Sequence, residues 1–238
     1  MEQITLVPLG GLANRLRTIT SGVALARQTQ RLLQIVWYKD SGLNCRFDQL
    51  FRPLVQANIR LKEATATDRL LYDRPRCRNA YLPSVFQRLT FDGRLHDPAR
   101  ELAPGSEFDF AKWVGQHPRA YVRTCYPFFP ADPTLYEQLF VPNSTVESRI
   151  RTFTERFSPH TVGVHIRRTD NVTAIARSPL SLFIQEMEKE VERHPDTLFF
   201  VASDSEEDKQ ALRERFGTRI LTSSQPADRN SLQGGPDS

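Results

Sequence analysis

The sequence is poor in the residues that bind metals or cross-link chains. Three cysteines, Cys45, Cys77 and Cys125, stand far apart in 238 residues, with no C-x-x-C pair. That spacing suggests neither a zinc ribbon nor a thioredoxin-type site, and reduced thiols in a cytoplasmic protein are the default reading. The histidines, at 96, 117, 160, 165 and 194, show no H-x-H or H-x-x-x-H spacing, so no metal centre is expected. No apolar run approaches the roughly 18 residues of a membrane-spanning helix. The opening MEQITLVPLGG lacks the charged and apolar regions of a signal peptide. Glycine and proline follow no period, which excludes collagen-like or low-complexity architecture. G-x-G-x-x-G, the Walker loop and the hydrolase elbow G-x-S-x-G are all missing.

What is present is an ordinary globular composition, 39% hydrophobic and 25% charged, enough for one domain or two smaller lobes. Lys and Arg number 32 against 28 acids, a net charge of +4. The surplus is mostly arginine and is spread along the chain. A nucleic-acid binder gathers such charge into a stripe, so a solvated surface with one anion-binding cleft is the better reading.

The apolar pattern organises the two ends of the chain. Residues 3–9 read as a buried strand ending in Gly10-Gly11, followed by helical spacing through Leu12, Leu16, Ile19, Val23 and Ala26 and a second strand at 33–37. This is a βαβ unit, for which a right-handed crossover is the rule. The stretch 40–118 is irregular, with short apolar runs among Arg, Pro and Asp, and 120–124 is a further candidate strand. From 143 the signals sharpen. Ser144 and Glu147 have capping-box spacing ahead of Val146, Ile150, Phe153 and Phe157. Strands are expected at 161–166, 197–202 and 219–222. Between them lie a helix opened by Ser178 as N-cap with Pro179 in first position, and an acidic-start helix over 205–216 that stops at Gly217. The expectation is an N-terminal α/β lobe over 1–142 and a Rossmann-like lobe over 143–238.

Four segments can carry chemistry. Gly10-Gly11-Leu12-Ala13-Asn14-Arg15 lies between a strand and a helix, where bare backbone and unpaired N–H groups suit an anion; the alternative is a simple tight turn. His165-Ile166-Arg167-Arg168-Thr169-Asp170 lies at the carboxyl end of a strand, where open α/β sheets bind ligands, and His165 and Arg167 project to one face. Guanidinium groups match phosphate oxygens. The alternative is an Arg168–Asp170 surface pair with His165 as a satisfied core residue. Ser203-Asp204 ends another strand, where it suits a base or ribose and equally an N-cap. Asp204-x-Glu206 also resembles an acidic metal motif, but three acids in a first helical turn are ordinary. Arg229-Asn230-Ser231 carries no signal from composition alone.

Together these segments resemble the fucosyltransferase superfamily, the group of α1,6-, nodulation-type and protein O-fucosyltransferases. H-x-R-R-x-D matches His165, Arg167, Arg168 and Asp170. An apolar strand ending in Ser/Thr-Asp matches Ser203 and Asp204. R-N-S-x-x-G matches Arg229, Asn230, Ser231 and Gly234, and the N-terminal Gly-Gly turn matches Gly10, Gly11, Leu12, Asn14 and Arg15. The resemblance spans nearly the whole chain but leaves 40–118 unmatched. It implies a GT-B-like pair of Rossmann-like lobes, with the second incomplete, since the family continues past R-N-S-x-x-G into a helix, a strand and an S-x-x-S loop.

It also implies an inverting transfer from GDP-fucose, without metal or other cofactor; the signal-less, disulfide-free sequence suggests a glycan or lipid-linked saccharide as acceptor. No nucleic acid or membrane span is involved, and the implied location is cytoplasmic. A catalytically inactive GDP-sugar-binding α/β protein, or a fragment of such an enzyme, is the alternative. By resemblance Arg167 grips the β-phosphate and His165 the diphosphate or ribose side. Gly10, Gly11, Asn14, Arg15, Arg168, Ser203, Asp204, Arg229, Asn230 and Ser231 serve the donor, and Asp170 is the fallback base. The α1,6 enzymes have a Lys after the motif's Asp and a Glu further on. Asn171 and Ile175 stand there instead.

Overall fold

The computed structural model describes residues 2–40, 42–72, 82–97, 99–168 and 172–223. Contacts divide the chain into two units, Met1–Asn143 and Ser144–Ser238.

Unit 1 opens with β1 (Gln3–Pro8), α1 (Leu12–Thr29) and β2 (Leu32–Trp37), the expected βαβ unit. It continues through β3 (Ile59–Glu63), α2 (Asp68–Leu71), α3 (Leu82–Thr90) and β4 (Gly93–His96). α4 (Phe110–Gln116), β5 (Arg119–Thr124) and α5 (Leu135–Leu139) complete it. The five strands are parallel in the order β3-β2-β1-β5-β4. β1 is central, with Leu6 beside Ile35 on one side and Val122 on the other.

Both faces of this sheet are covered, which is why its inner strands read as apolar runs rather than alternating ones. Ile4, Leu6, Leu33, Ile35, Trp37 and Val122 pack with Ile19, Val23 and Ala26 of α1. The alternate residues Val7, Val36, Tyr38 and Tyr121 pack with Tyr72 and Phe91. Helix α1 lies so close to β1 that a Cβ on Gly22 would stand 2.6 Å from Leu6 Cδ2.

β3 and β4 were not expected from the sequence. They are short edge strands, IRLKE and GRLH, with several half-buried or exposed charges. Edge strands carry such charges because only one flank needs a partner, and the same charges hide them from a hydrophobicity reading.

Unit 2 contains α6 (Ser144–Thr154), β6 (Thr161–Ile166), α7 (Val172–Arg177), α8 (Leu180–Arg193), β7 (Leu198–Ser203), α9 (Glu206–Phe216) and β8 (Ile220–Thr222). Its strands are parallel in the order β6-β7-β8. Val164, Ile166, Phe199 and Val201 pack with Met187 of α8, Leu212 of α9 and Ile220. On the opposite face, Phe200 receives the rings of Phe153 and Phe157 at 5.3 and 5.6 Å. The α/β class with parallel sheets therefore holds in both units.

Two helix starts refine the expectation. α9 begins as expected: the Asp208 amide donates to Ser205 Oγ at 3.1 Å, three acids occupy the first turn, and Gly217 with φ +59° ends the helix. α8 begins one residue later than expected, with extended Pro179 as N-cap and no side-chain cap bond. Ser178 contributes its carbonyl rather than its hydroxyl, as the site explains.

Candidate functional site

In unit 1 the carboxyl ends of all five strands lie at one end of a parallel sheet. The chain runs outward from β1 through β2 to β3, then crosses to β4 and β5, so the strand order reverses between β1 and β5. Such a switch point leaves a crevice where ligands of open α/β sheets bind. The Gly10-Gly11 turn occupies it. The Leu9 amide donates to the Thr124 carbonyl at 2.9 Å, tying the turn to the end of β5. Gly10 has φ +79°, a conformation that strains any residue with a Cβ. Gly11 is the N-cap of α1 and makes no side-chain cap bond, and the first turn carries no acid. The N–H groups of the first helical turn, the positive helix end and the exposed Asn14 side chain together suit an anion.

Arg15 lies beneath the turn. Its guanidinium is fully buried. Nε donates to the Gly10 carbonyl at 2.8 Å, Nη1 to the Tyr38 carbonyl, and Nη2 to Asp40 Oδ1 at 2.9 Å. The group also lies 4.9 Å from the Trp37 ring centroid. Burial lowers its pKa, and the Asp40 carboxylate opposes that fall. With bonds from Nε, Nη1 and Nη2 to the protein, Arg15 shapes the turn.

In unit 2, β6 delivers His165 and Arg167 to one face, and both are exposed. His165 alternates with the buried Val164 and Ile166, so it is not a core histidine. Arg168 points elsewhere. Its main-chain N–H donates to Asp204 Oδ1 at 2.7 Å, Nε to Asp208 Oδ2 at 2.6 Å, and Nη1 to the Ser178 carbonyl at 2.8 Å. Side-chain exposure is 17% for Arg168 and 15% for Asp208. One residue thus joins the end of β6 to the turn after β7, the start of α9 and the entry to α8. Like Arg15, it clamps neighbouring elements through its own hydrogen bonds. Asp204 serves the same rim by receiving the Arg168 amide, and Ser203 Oγ accepts the Ser205 amide at 3.1 Å.

Below this rim, a groove of about 470 Å³ runs between β6 and α8 over Leu182, Phe183, Met187 and Phe199. Its apolar floor meets polar walls that include His165, Glu186, Glu190 and Arg193. Asp170, Arg229, Asn230 and Ser231 lie outside the described residues. Among the described residues, no group of three His, Cys, Asp or Glu side chains comes together as a metal site. No helix among them is long and apolar enough to cross a membrane.

Sequence reading missed Asp40 and Asp208. Asp40 sits in an irregular stretch 25 residues from Arg15, and Asp208 is 40 residues from Arg168. No local spacing links either pair. Asp208 had a sufficient local explanation as one acid among three at a helix start.

No protein-family model matches the chain, and no curated protein sequence matches it. Solved structures do. Fucosyltransferase NodZ from Bradyrhizobium superposes with a TM-score of 0.61 at 18% identity, covering 100% of this chain and 83% of NodZ. An Arabidopsis thaliana FUT1 mutant in complex with GDP gives 0.59 at 15% identity, covering 99% of this chain and 62% of FUT1. POFUT1 in complex with GDP gives 0.53 at 14% identity, covering 94% of this chain and 85% of POFUT1. At these identities the likeness is one of architecture: this chain has the GT-B-like α/β fold of the solved fucosyltransferases.

Proposed function

We propose that this chain is a glycosyltransferase that moves fucose from GDP-fucose to a hydroxyl of a glycan or lipid-linked saccharide, with inversion and without a metal. The observation that carries this reading is the pair His165 and Arg167, exposed on one face at the carboxyl end of β6 with the neighbouring backbone fixed by Arg168 and Asp204. Fold neighbours solved with GDP and with GDP-fucose support the choice of donor.

The chemistry follows from charge. The bond between the anomeric carbon and the β-phosphate oxygen breaks, and GDP leaves with its bonding electrons. Arg167 stabilises the charge developing on that oxygen, and His165 hydrogen-bonds the diphosphate or ribose side. The acceptor hydroxyl attacks from the opposite face, which inverts the centre, and its proton passes to a base, for which we nominate Asp170. Fixed guanidinium charge does here what a divalent cation does in other nucleotide-sugar enzymes. Asp204, Ser203 and Arg229-Asn230-Ser231 are assigned to the nucleoside and phosphates, and the Gly10-Gly11 turn with Asn14 to an anionic group. Free Cys45 and half-buried Cys125 fit the cytoplasmic setting that we propose.

The test is thermal denaturation with GDP in the presence of a chelator, followed by transfer from GDP-fucose to a glycan panel. GDP at about 100 times its Kd should stabilise the parent by about 2.7 kcal/mol. Arg167→Ala should remove that shift while leaving the unliganded transition in place. A full GDP shift in Arg167→Ala would overturn the phosphate assignment. GDP binding with no turnover on any acceptor would leave a GDP-sugar binder in place of an enzyme.

A further inference from the structure

The Gly10-Gly11 turn does not stand alone. It packs against a second turn after β2, to which Asp40, Gly42 and Leu43 belong. A Cβ on Gly42 would lie 3.3 Å from the Gly10 carbonyl oxygen, and one on Gly11 would lie 4.0 Å from the Gly42 oxygen. The Asn14 side chain folds back over the turn, since a Cβ on Gly10 would stand 3.0 Å from Asn14 Nδ2. Asp40 Oδ1 gathers the second turn, accepting from the Gly42 amide at 2.7 Å and the Leu43 amide at 3.2 Å. The same oxygen accepts from Arg15 Nη2, while Arg15 Nε holds the Gly10 carbonyl. Asp40 Oδ2 is buried and makes no hydrogen bond.

We propose that the Arg15–Asp40 ion pair is a positioning device that locks the two turns together and thereby fixes the Gly10 and Gly11 backbone and the Asn14 amide. A buried ion pair is weak evidence of a stability role, because apolar residues of similar volume often serve at least as well. This pair lies at the carboxyl rim of the sheet, at its switch point, and its bonds to Gly10, Tyr38, Gly42 and Leu43 end on the two turns or just past β2. One Asp40 oxygen is left unanswered so that the other can take an arginine and two amides. A guanidinium is required because three acceptors in fixed directions need a planar fork, which the compact lysine ammonium cannot supply. The consequence for transfer rests on the proposed assignment of this turn to an anionic group of the donor; the consequence for the turn itself does not.

The experiment compares the parent chain with Arg15→Lys and Asp40→Asn, by hydrogen exchange and by steady-state transfer from GDP-fucose. Asp40→Asn keeps an acceptor oxygen for the two amides, so it remains informative if Arg15→Lys folds poorly. Exchange should quicken over 9–15 and at Asp40, Gly42 and Leu43 in both variants, with the amides of β1 and β2 unchanged. kcat should fall, on the scale of about 10²-fold that misplacing a group by ~1 Å costs, while KM for the donor changes little. Unchanged exchange in both turns of a folded variant would overturn the proposal. So would a lowered Tm with kcat and KM both intact, because that is the signature of a structural pair. A parent that neither binds GDP nor transfers would overturn the proposed function, and the exchange comparison would still decide the positioning role.

Discussion

Replacing Arg168 with alanine tests how much of unit 2 hangs on one side chain. The change removes the bond to Asp208 at 2.6 Å and the bond to the Ser178 carbonyl at 2.8 Å. Asp208, only 15% exposed, is left without its counter-ion. Breaking a fully buried pair costs about 3–5 kcal/mol, whereas an exposed pair is worth about 0–1. The partly exposed Arg168–Asp208 pair falls between these limits at about 1–2 kcal/mol, and the lost carbonyl bond adds about 1 kcal/mol. A destabilisation of about 2–3 kcal/mol follows, which lowers Tm by about 10–20 °C for a unit of this size.

Composition makes the assay specific. Both tryptophans and all six tyrosines precede residue 144, so unit 2 contributes nothing to aromatic fluorescence excited through those residues. Far-UV circular dichroism follows both units, and tryptophan emission follows unit 1. Asp208→Asn alone keeps an acceptor oxygen and should cost about 1 kcal/mol. In the double variant the two costs should fail to add by about 1–2 kcal/mol, as expected of residues in direct contact. A circular-dichroism transition for Arg168→Ala within about 0.5 kcal/mol of the parent, the range of an unremarkable surface change, would refute the reasoning.

Three further outcomes are expected. Gly93→Ala should destabilise unit 1 by about 1–3 kcal/mol in urea titration, because its Cβ would stand 2.4 Å from a His117 ring held by the Trp113 carbonyl at 2.7 Å. Ser205→Ala should cost about 1 kcal/mol in the same assay, since it removes the acceptor of the Asp208 amide at the start of α9. Burial acts to raise the Asp68 pKa, but hydrogen bonds from Lys62 and from the Thr65 amide and hydroxyl outweigh it and hold the carboxyl below its usual value. The resulting stability is complete above the usual carboxylate range and is lost as pH falls through the lowered value, so Asp68→Asn should flatten the acid limb of a stability–pH curve.

Much of the architecture was legible because of how it is buried. β1, β2, β6 and β7 are covered on at least one face and read as apolar runs, and the α9 boundaries follow from Ser205 and Gly217. β3 and β4 escaped because edge position lets Arg60, Lys62 and Arg94 occupy them. The rim of β6 was legible because chemistry at a strand's carboxyl end is a positional rule. What local sequence could not tell was the direction in which an arginine points. Arg15 and Arg167 both stand near the end of a strand, yet one is buried among carbonyls and the other is exposed. The difference lies in Tyr38, Asp40 and Trp37, which only the folded sheet brings to Arg15.

The stacking of Arg15 on Trp37 has an optical consequence. The indole is fully buried, anchored by Nε1 to the Cys45 carbonyl at 2.9 Å and met edge-on by Phe47 at 5.4 Å. Its excited state therefore feels a fixed cation whose distance depends on the glycine turn. With Trp113 replaced by phenylalanine, the remaining indole becomes a label-free gauge of that turn, and ligand arrival at the rim can be followed as a change in the colour of its emission.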